Sequence, residues 1–301
     1  MKKKRLHRSF RSQALSDKIF DIVNYTLLGL VALSVLYPLY FIVVASFSDP
    51  VAINNGQVSF WPVGFNTLGY QRIFENAKIW RSYSNTIFYT VTGTAINIFM
   101  TMLMAYPLSR KKFFARKPLL FLAMFTMYFQ GGMIPTYLWM NDLNLYNTPW
   151  VMILLPAINV FNLIIAMNYI SNNIPEELYE AASIDGCSHI MYFTKVVLPL
   201  SKTIIVVLLL YYGVAHWNEF MNGLIYLKDE GLHPLQLTLR GILLQNQASG
   251  LGDVDSMMEQ QKAAELIKYG VIIVSTLPVL VIYPFLQKHF EKGVMVGSVK
   301  G

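Results

Sequence analysis

Residues 27–47 read LLGLVALSVLYPLYFIVVASF, a run without one charged side chain. At a rise of about 1.5 Å per residue, a helix of this length covers about 30 Å, the thickness of a bilayer's hydrocarbon core. A membrane barrel strand would alternate apolar and polar residues, and this run is continuous, so a helix is expected. Five more runs of this kind follow, Ser84–Leu108, Pro118–Trp139, Trp150–Ser171, Thr203–Tyr226 and Tyr269–Leu286. The expected fold is therefore all-α, a polytopic membrane protein with six transmembrane helices. Composition agrees. Apolar residues make up 54% of the 301 positions and charged residues 14%, against about 25% charged in soluble domains. A soluble chain of this length needs far more charge to stay dissolved.

The first run is preceded by Lys2, Lys3, Lys4, Arg5, Arg8 and Arg11, a basic start like that of a signal peptide. The apolar stretch is too long for a signal, and Phe47-Ser48-Asp49-Pro50 is no small-residue cleavage site, so an uncleaved first helix is expected. The chain then divides into a basic cytoplasmic arm (1–18), a transmembrane domain (19–288) and a cytoplasmic tail (289–301). With both termini inside, the inner segments hold 17 Lys and Arg and the outer segments seven, which is the positive-inside bias of a multi-pass protein in a bacterial cell membrane. The net charge of +7 then lies beside anionic headgroups of membrane lipid and calls for no nucleic acid. The single cysteine, Cys187, allows no internal disulfide.

One connection stands apart. Residues 172–202 read NNIPEELYEAASIDGCSHIMYFTKVVLPLSK, too polar for lipid yet built as a helix. Pro175 suits a first turn, Glu176 and Glu177 favour the positive end of the helix dipole, and Gly186 suits a C-terminal cap. A helix of about eleven residues, Pro175 to Asp185, is predicted outside the membrane. A second amphipathic piece follows, with Ile190, Phe193, Val196 and Val197 at helical spacing and Pro199 before the fifth run. Ala181 and Ala182 permit close approach of another backbone, and Glu180 and Asp185 offer it charge. Periodicity alone fits equally a helix resting on the bilayer surface.

Glu180-Ala181-Ala182, three residues, Gly186, nine residues and Val196-Val197-Leu198-Pro199 resemble the EAA loop of permease subunits in ABC importers. Cys187 departs from the small residue usual there. The resemblance implies that residues 172–202 carry a coupling helix docking on an ATP-binding subunit through Glu180, Ala181, Ala182, Asp185, Gly186 and Pro199. Residues 131–137 (GGMIPTY), Asn147-Thr148-Pro149-Trp150, Trp217-Asn218-Glu219-Phe220 and the closing residues 292–301 are similar to the carbohydrate-uptake group related to the maltose permease. Within it residues 131–137 and the closing residues are similar to a subgroup associated with complex oligosaccharides. The implied partners are a second homologous permease, two copies of an ATPase and an extracytoplasmic substrate-binding protein. No cofactor would be bound directly, ATP and magnesium residing on the partner subunits.

Polar and aromatic residues within the runs are the candidates for the translocation path. Glu219 is costly facing lipid and must face protein or water. His216, Asn218 and Glu219 either line the path or hold helices together. Asn97, Asn159 and Asn162 are expected to hydrogen-bond neighbouring helices. Tyr128, Phe129 and Tyr137 can stack on sugar rings, although interfacial belts explain many of the chain's aromatics. Gly131, Gly132 and Pro135 interrupt the third run, as a bend, a cavity-lining break or a close packing site would. The loop from Lys228 to Lys268 is read as the surface that meets the binding protein, or as a solvated loop.

No phosphate-binding, zincin or nucleophile-elbow motif and no paired-cysteine metal spacing occurs, so neither catalytic nor metal-binding residues are expected. The rival reading is an ion-coupled secondary transporter. That would need more intramembrane acids than Glu219, or broken helices in repeated halves, and no duplicated half is visible.

Overall fold

The computed structural model describes residues 15–248, 267–281 and 284, and every regular element among them is helical. The described residues fall into two compact units, residues 15–71 with 267–273 and residues 72–248 with 274–281 and 284.

In the first unit α1 (Leu15–Ser46) contains a stretch of mean hydropathy 2.4 and is exposed along most of its length. It ends in an aromatic knot. Phe47 stacks on Phe65 at 5.7 Å between centroids and meets Tyr70 at 5.1 Å, and Tyr70 donates its hydroxyl to Ser46 Oγ at 2.8 Å. Asp49 caps α2 (Pro50–Asn54) by accepting from Val51 N–H. α3 (Leu68–Glu75) follows.

The second unit is built around α4 (Ala77–Ser109), 33 residues or about 50 Å long. Its buried face carries a polar stripe beside apolar residues such as Ile79, Met102 and Leu108. Ser82, Thr86, Thr94, Asn97 and Thr101 recur at helical spacing and are all buried. In hydrocarbon, neighbouring apolar surfaces gain nothing by meeting, so helices associate through small residues and interhelical hydrogen bonds. α4 uses both. Ser82 Oγ pairs with Thr238 Oγ1 at 2.6 Å, Thr86 Oγ1 accepts from Leu235 N–H at 2.7 Å, and Thr101 Oγ1 pairs with the Tyr212 hydroxyl at 2.7 Å.

Around it lie α5 (Arg116–Tyr128), α6 (Met133–Asp142), α7 (Pro149–Leu154), α8 (Val160–Asn173), α9 (Glu176–Ile184) and α10 (His189–Tyr192). A π-helical turn (Phe193–Val197) joins α10 to α11 (Leu198–Leu200), and α12 (Lys202–Trp217) follows. Then come α13 (Met221–Tyr226), a 3-10 turn (Glu230–Leu232), α14 (Leu235–Ala248) and α15 (Ile267–Val281).

The apolar runs are less continuous than hydropathy alone indicates. α1 and α4 are each long and apolar enough to cross a membrane, and counting bent pairs as single spans gives up to four such elements among the described residues. The third run bends by 116° between α5 and α6, at Gly131-Gly132. The fourth breaks between α7 and α8, at Pro156. There Asn97 Nδ2 donates to the freed Pro156 carbonyl at 2.9 Å, Asn159 N–H donates to the Tyr212 hydroxyl, and the Asn159 side chain caps α8. Such repair of backbone groups is what permits a break at membrane depth. The fifth run breaks at 218–220. For the sixth, 269–281 is helical, and the rest lies largely outside the described residues, as do residues 1–14 and 285–301.

The segment after α13 is clasped to the Ala77 end of α4. Asn85 Nδ2 donates to the carbonyls of Gly231 and His233, Tyr89 donates to Leu232 O, and Asn147 Oδ1 accepts from Lys228 and Asp229 N–H. Lys78 Nζ stands 2.7 Å from Glu230, and this contact holds the Glu230 carboxyl below its ordinary value. Of the loop 228–268, the part to 248 is thus structured, and 249–266 lies outside the described residues.

Candidate coupling site and translocation path

The polar segment 172–202 folds as its grammar predicts. α9 covers nine residues rather than eleven, with Pro175 before its first turn and Glu176 and Glu177 within it. Its end is a Schellman motif. Gly186 N–H donates to Ser183 O at 3.1 Å and Cys187 N–H to Ala182 O at 2.9 Å, with Gly186 at φ +75°. L side chains resist that φ, which is why glycine sits there. Ser188 then caps α10 through Met191 N–H.

α9 is held to the other end of α4 by side chains 68 or so residues away. The Arg110 guanidinium lies 3.9 Å over the Tyr179 ring, and its Nη2 stands 4.0 Å from Glu176 Oε1. Tyr179 stacks on His189 at 5.3 Å and meets Tyr192 edge-on at 5.2 Å. Lys112 Nζ donates to Glu180 Oε1 at 3.1 Å, and chiefly through this hydrogen bond its ammonium is held above the usual lysine value. Both partners are exposed, so the pair adds little stability. The sequence gives no sign of these contacts of Arg110, Lys112, Tyr179 and His189, because pairings across such a separation leave no local pattern.

The opposite face of α9 is open. Ala181, Asp185 and Gly186 are exposed, and Ala182 is half-buried against the unit's core. Ile184 and Ile190 are 87% and 78% exposed. Phe193 and Val197 of the second amphipathic piece are buried, Val196 is half-buried and Pro199 is exposed. The segment therefore presents small, apolar and anionic side chains outward on a helix fixed from behind.

The path candidates separate into two groups. His216 is 5% exposed, its Nε2 lies 3.2 Å from Asn97 Nδ2, and its ring rests against Gly93. It links α12 to α4. Tyr137 is half-buried, stacked on Tyr226 at 6.0 Å, and joins α6 to α13. By contrast Tyr128, Phe129 and Asn218 are exposed, and Phe129 stacks on Phe125 at 4.5 Å. Glu219 is half-buried at the α12–α13 break and accepts from Asn222 N–H at 2.9 Å, so it caps α13 instead of sitting within one long fifth helix. Asn97 hydrogen-bonds neighbouring segments as expected, whereas the Asn159 side chain caps its own helix by accepting from Asn162 N–H. Among the described residues no three His, Cys, Asp or Glu side chains converge to hold a metal.

The profile of the family described as binding-protein-dependent transport system inner membrane component matches residues 88–296. The polygalacturonan/rhamnogalacturonan transport system permease protein YtcP of Bacillus subtilis is 42% identical over 289 residues, 95% of this chain and 100% of that protein. Protein LplC of the same organism is 41% identical over 286 residues, 95% of this chain and 96% of that protein. In the crystal structure of a bacterial ABC transporter involved in the import of the acidic polysaccharide alginate, one chain superposes with a TM-score of 0.84 at 33% identity. It covers 92% of this chain and 99% of its own length. The matched profile takes in most of α4 and the chain after it to residue 296, including the α9 segment, and the chain therefore belongs to the family of binding-protein-dependent inner membrane components, the permeases of ABC importers.

Proposed function

We propose that this chain forms, with a second homologous permease, the path by which a sugar or oligosaccharide enters the cell, driven by two copies of an ATPase partner. The observation that carries the reading is α9, fixed to α4 by Arg110 and Lys112 while its Ala181–Gly186 face stays open. A helix held rigidly on one side and bare on the other suits the transfer of motion from an attached subunit to the membrane helices. Glu180, Ala181, Ala182, Asp185, Gly186 and Pro199 make up this docking segment, and ATP and magnesium belong to the partner. YtcP is named for polygalacturonan and rhamnogalacturonan transport and the solved transporter for import of the acidic polysaccharide alginate, which favours an acidic oligosaccharide delivered by an extracytoplasmic binding protein.

Six crossings are proposed. They are α1, α4, the α5–α6 pair, the α7–α8 pair, α12 with α13, and α15 with the residues after it. Both termini face the cytoplasm, with 1–18 as a basic arm and 289–301 as a tail. Broken helices that line a cavity explain why the third and fifth crossings are interrupted, so Tyr128, Phe129, Asn218 and Glu219 are assigned to the path. His216 and Tyr137 support it by packing. The test is uptake in proteoliposomes holding both permeases, the ATPase and the binding protein, with pectic, alginate and neutral oligosaccharides. ATP-dependent accumulation of an acidic oligosaccharide is expected. Accumulation driven by an ion gradient without ATP would instead establish a secondary transporter.

A further inference from the structure

The turn between α4 and α5, Arg110-Lys111-Lys112-Phe113-Phe114-Ala115-Arg116-Lys117, packs five cations and two phenylalanines into eight residues. Phe114 is 92% exposed. Beside this turn a groove of about 750 Å³ runs between α4 and the α10 helix, within the size range of about 300–1,000 Å³ that small ligands occupy. Its wall on α4 is Phe99, Leu103 and Pro107, and Ile190 and Phe193 face them. Arg110, Lys112 and His189 stand at its basic end.

The zoning is longitudinal. From Phe99 to Arg110 is eleven residues, about 16 Å along the helix, which matches one leaflet's share, about 15 Å, of the hydrocarbon core. The groove is therefore apolar over the depth of one leaflet and cationic at the headgroup level. A free anion would use the cations and leave the apolar wall bare, and an oligosaccharide would find no polar partner along Phe99 and Leu103. An amphiphile with acyl chains and an anionic headgroup fits both zones.

Of the turn's cations Arg110 and Lys112 line this end, and the others lie beside it in the sequence. Glu176 and Glu180 engage Arg110 and Lys112, and Glu177 lies on the same helix. Arg116 Nε donates to Leu108 O. Five cations against three carboxylates leave a positive surplus. Lys111 is exposed and lines the adjoining pocket with Glu176 and Glu177, outside this groove.

We propose that this groove binds an anionic phospholipid of the leaflet next to α9, with its acyl chains along Phe99 and Leu103 and its phosphate at Arg110 and Lys112. Lys112 would then be shared between the phosphate and Glu180, which ties the lipid to the coupling segment. The inference rests on the proposed placement of α9 at the membrane surface.

The test uses the assembled transporter in symmetric bilayers of equal phosphatidylglycerol and phosphatidylcholine, with retained lipid counted by native mass spectrometry. The wild type is expected to retain phosphatidylglycerol preferentially. Lys112→Gln should lower that retention about fivefold, the effect of removing one membrane-facing cation. Leu103→Trp should fill the groove and displace both lipids. Equal retention of the two lipids by the wild type would overturn the proposal. So would retention by the isolated chain and none by the assembly, since a partner subunit would then cover the groove. Labelling of Phe114→Cys in a Cys187-free background reports the turn's side of the membrane. Because the bilayers are symmetric, an inverted label would refute the orientation and leave the lipid preference to stand or fall on its own.

Discussion

Gly93 is the residue where the packing makes its sharpest demand. A Cβ built there would stand 2.5 Å from His216 Cε1, 2.5 Å from Nε2 and 3.0 Å from Cδ2, well inside the carbon contact distance of about 3.5–4.0 Å. The ring cannot swing aside freely, because it is 5% exposed and bonded to Asn97 at 3.2 Å. Gly93→Ala should therefore displace His216, at an overpacking cost of about 1–3 kcal/mol. It should also break a membrane-embedded hydrogen bond of about 0.6 kcal/mol. Against this, alanine gains about 1 kcal/mol over glycine within a helix. The net loss is then roughly 0.5–2.5 kcal/mol. In a His216→Ala background the obstacle is gone, and Gly93→Ala should stabilise by up to about 1 kcal/mol. The four proteins form a double-mutant cycle with a coupling of about 1.5–3.5 kcal/mol, measurable by unfolding in mixed detergent micelles. Equal effects of Gly93→Ala in the two backgrounds would refute the contact.

Three further outcomes are expected. Glu219→Gln keeps an oxygen that can accept from Asn222 N–H and should leave stability within about 0.5 kcal/mol, whereas Glu219→Ala should lose about 1 kcal/mol as cap removals do. If Glu219→Gln halts uptake in an equally stable complex, the carboxylate's charge serves the path as well as the cap. Gly186→Val forces a branched side chain into φ +75° and should cost at least about 1–2 kcal/mol locally, seen as faster amide exchange across 183–188; unchanged exchange would mean the turn relaxes without cost. Glu230 is held below its ordinary value by Lys78, so the contact's contribution is present above the unfolded carboxyl value and fades as pH falls through the lowered folded one. Glu230→Gln should therefore be slightly less stable than the wild type at pH 7 and indistinguishable from it in acid, and identical melting at both pH values would show that the pair contributes nothing.

What the sequence disclosed and what it hid follow from how far each signal reaches along the chain. The α9 helix was legible because proline, two glutamates and a glycine act within one or two turns of themselves. The Gly131-Gly132 bend was visible for the same reason. The break at 218–220 was hidden inside Thr203–Tyr226, since hydropathy sums apolar character and cannot distinguish a carboxylate within a helix from one that caps the next. The Ser82, Thr86, Thr94, Asn97 and Thr101 stripe was in plain view at helical spacing, and it marks α4 as the central helix of its unit. It is overlooked when polar residues in an apolar run are weighed singly. The Arg110–Tyr179 and Lys112–Glu180 contacts depend on the turn between α4 and α5 coming to rest beside α9, which only the folded chain specifies.

The central claim is that the open face of α9 receives the ATPase. Ala181 is exposed on that face, so Ala181→Trp adds bulk without disturbing the chain's own packing. The direct measurement is affinity purification of the tagged chain, wild type and Ala181→Trp, with quantification of the co-purified second permease and ATPase. The account predicts that both partners accompany the wild type, and that Ala181→Trp keeps the second permease and loses the ATPase. ATPase retained by Ala181→Trp at the wild-type ratio would contradict it.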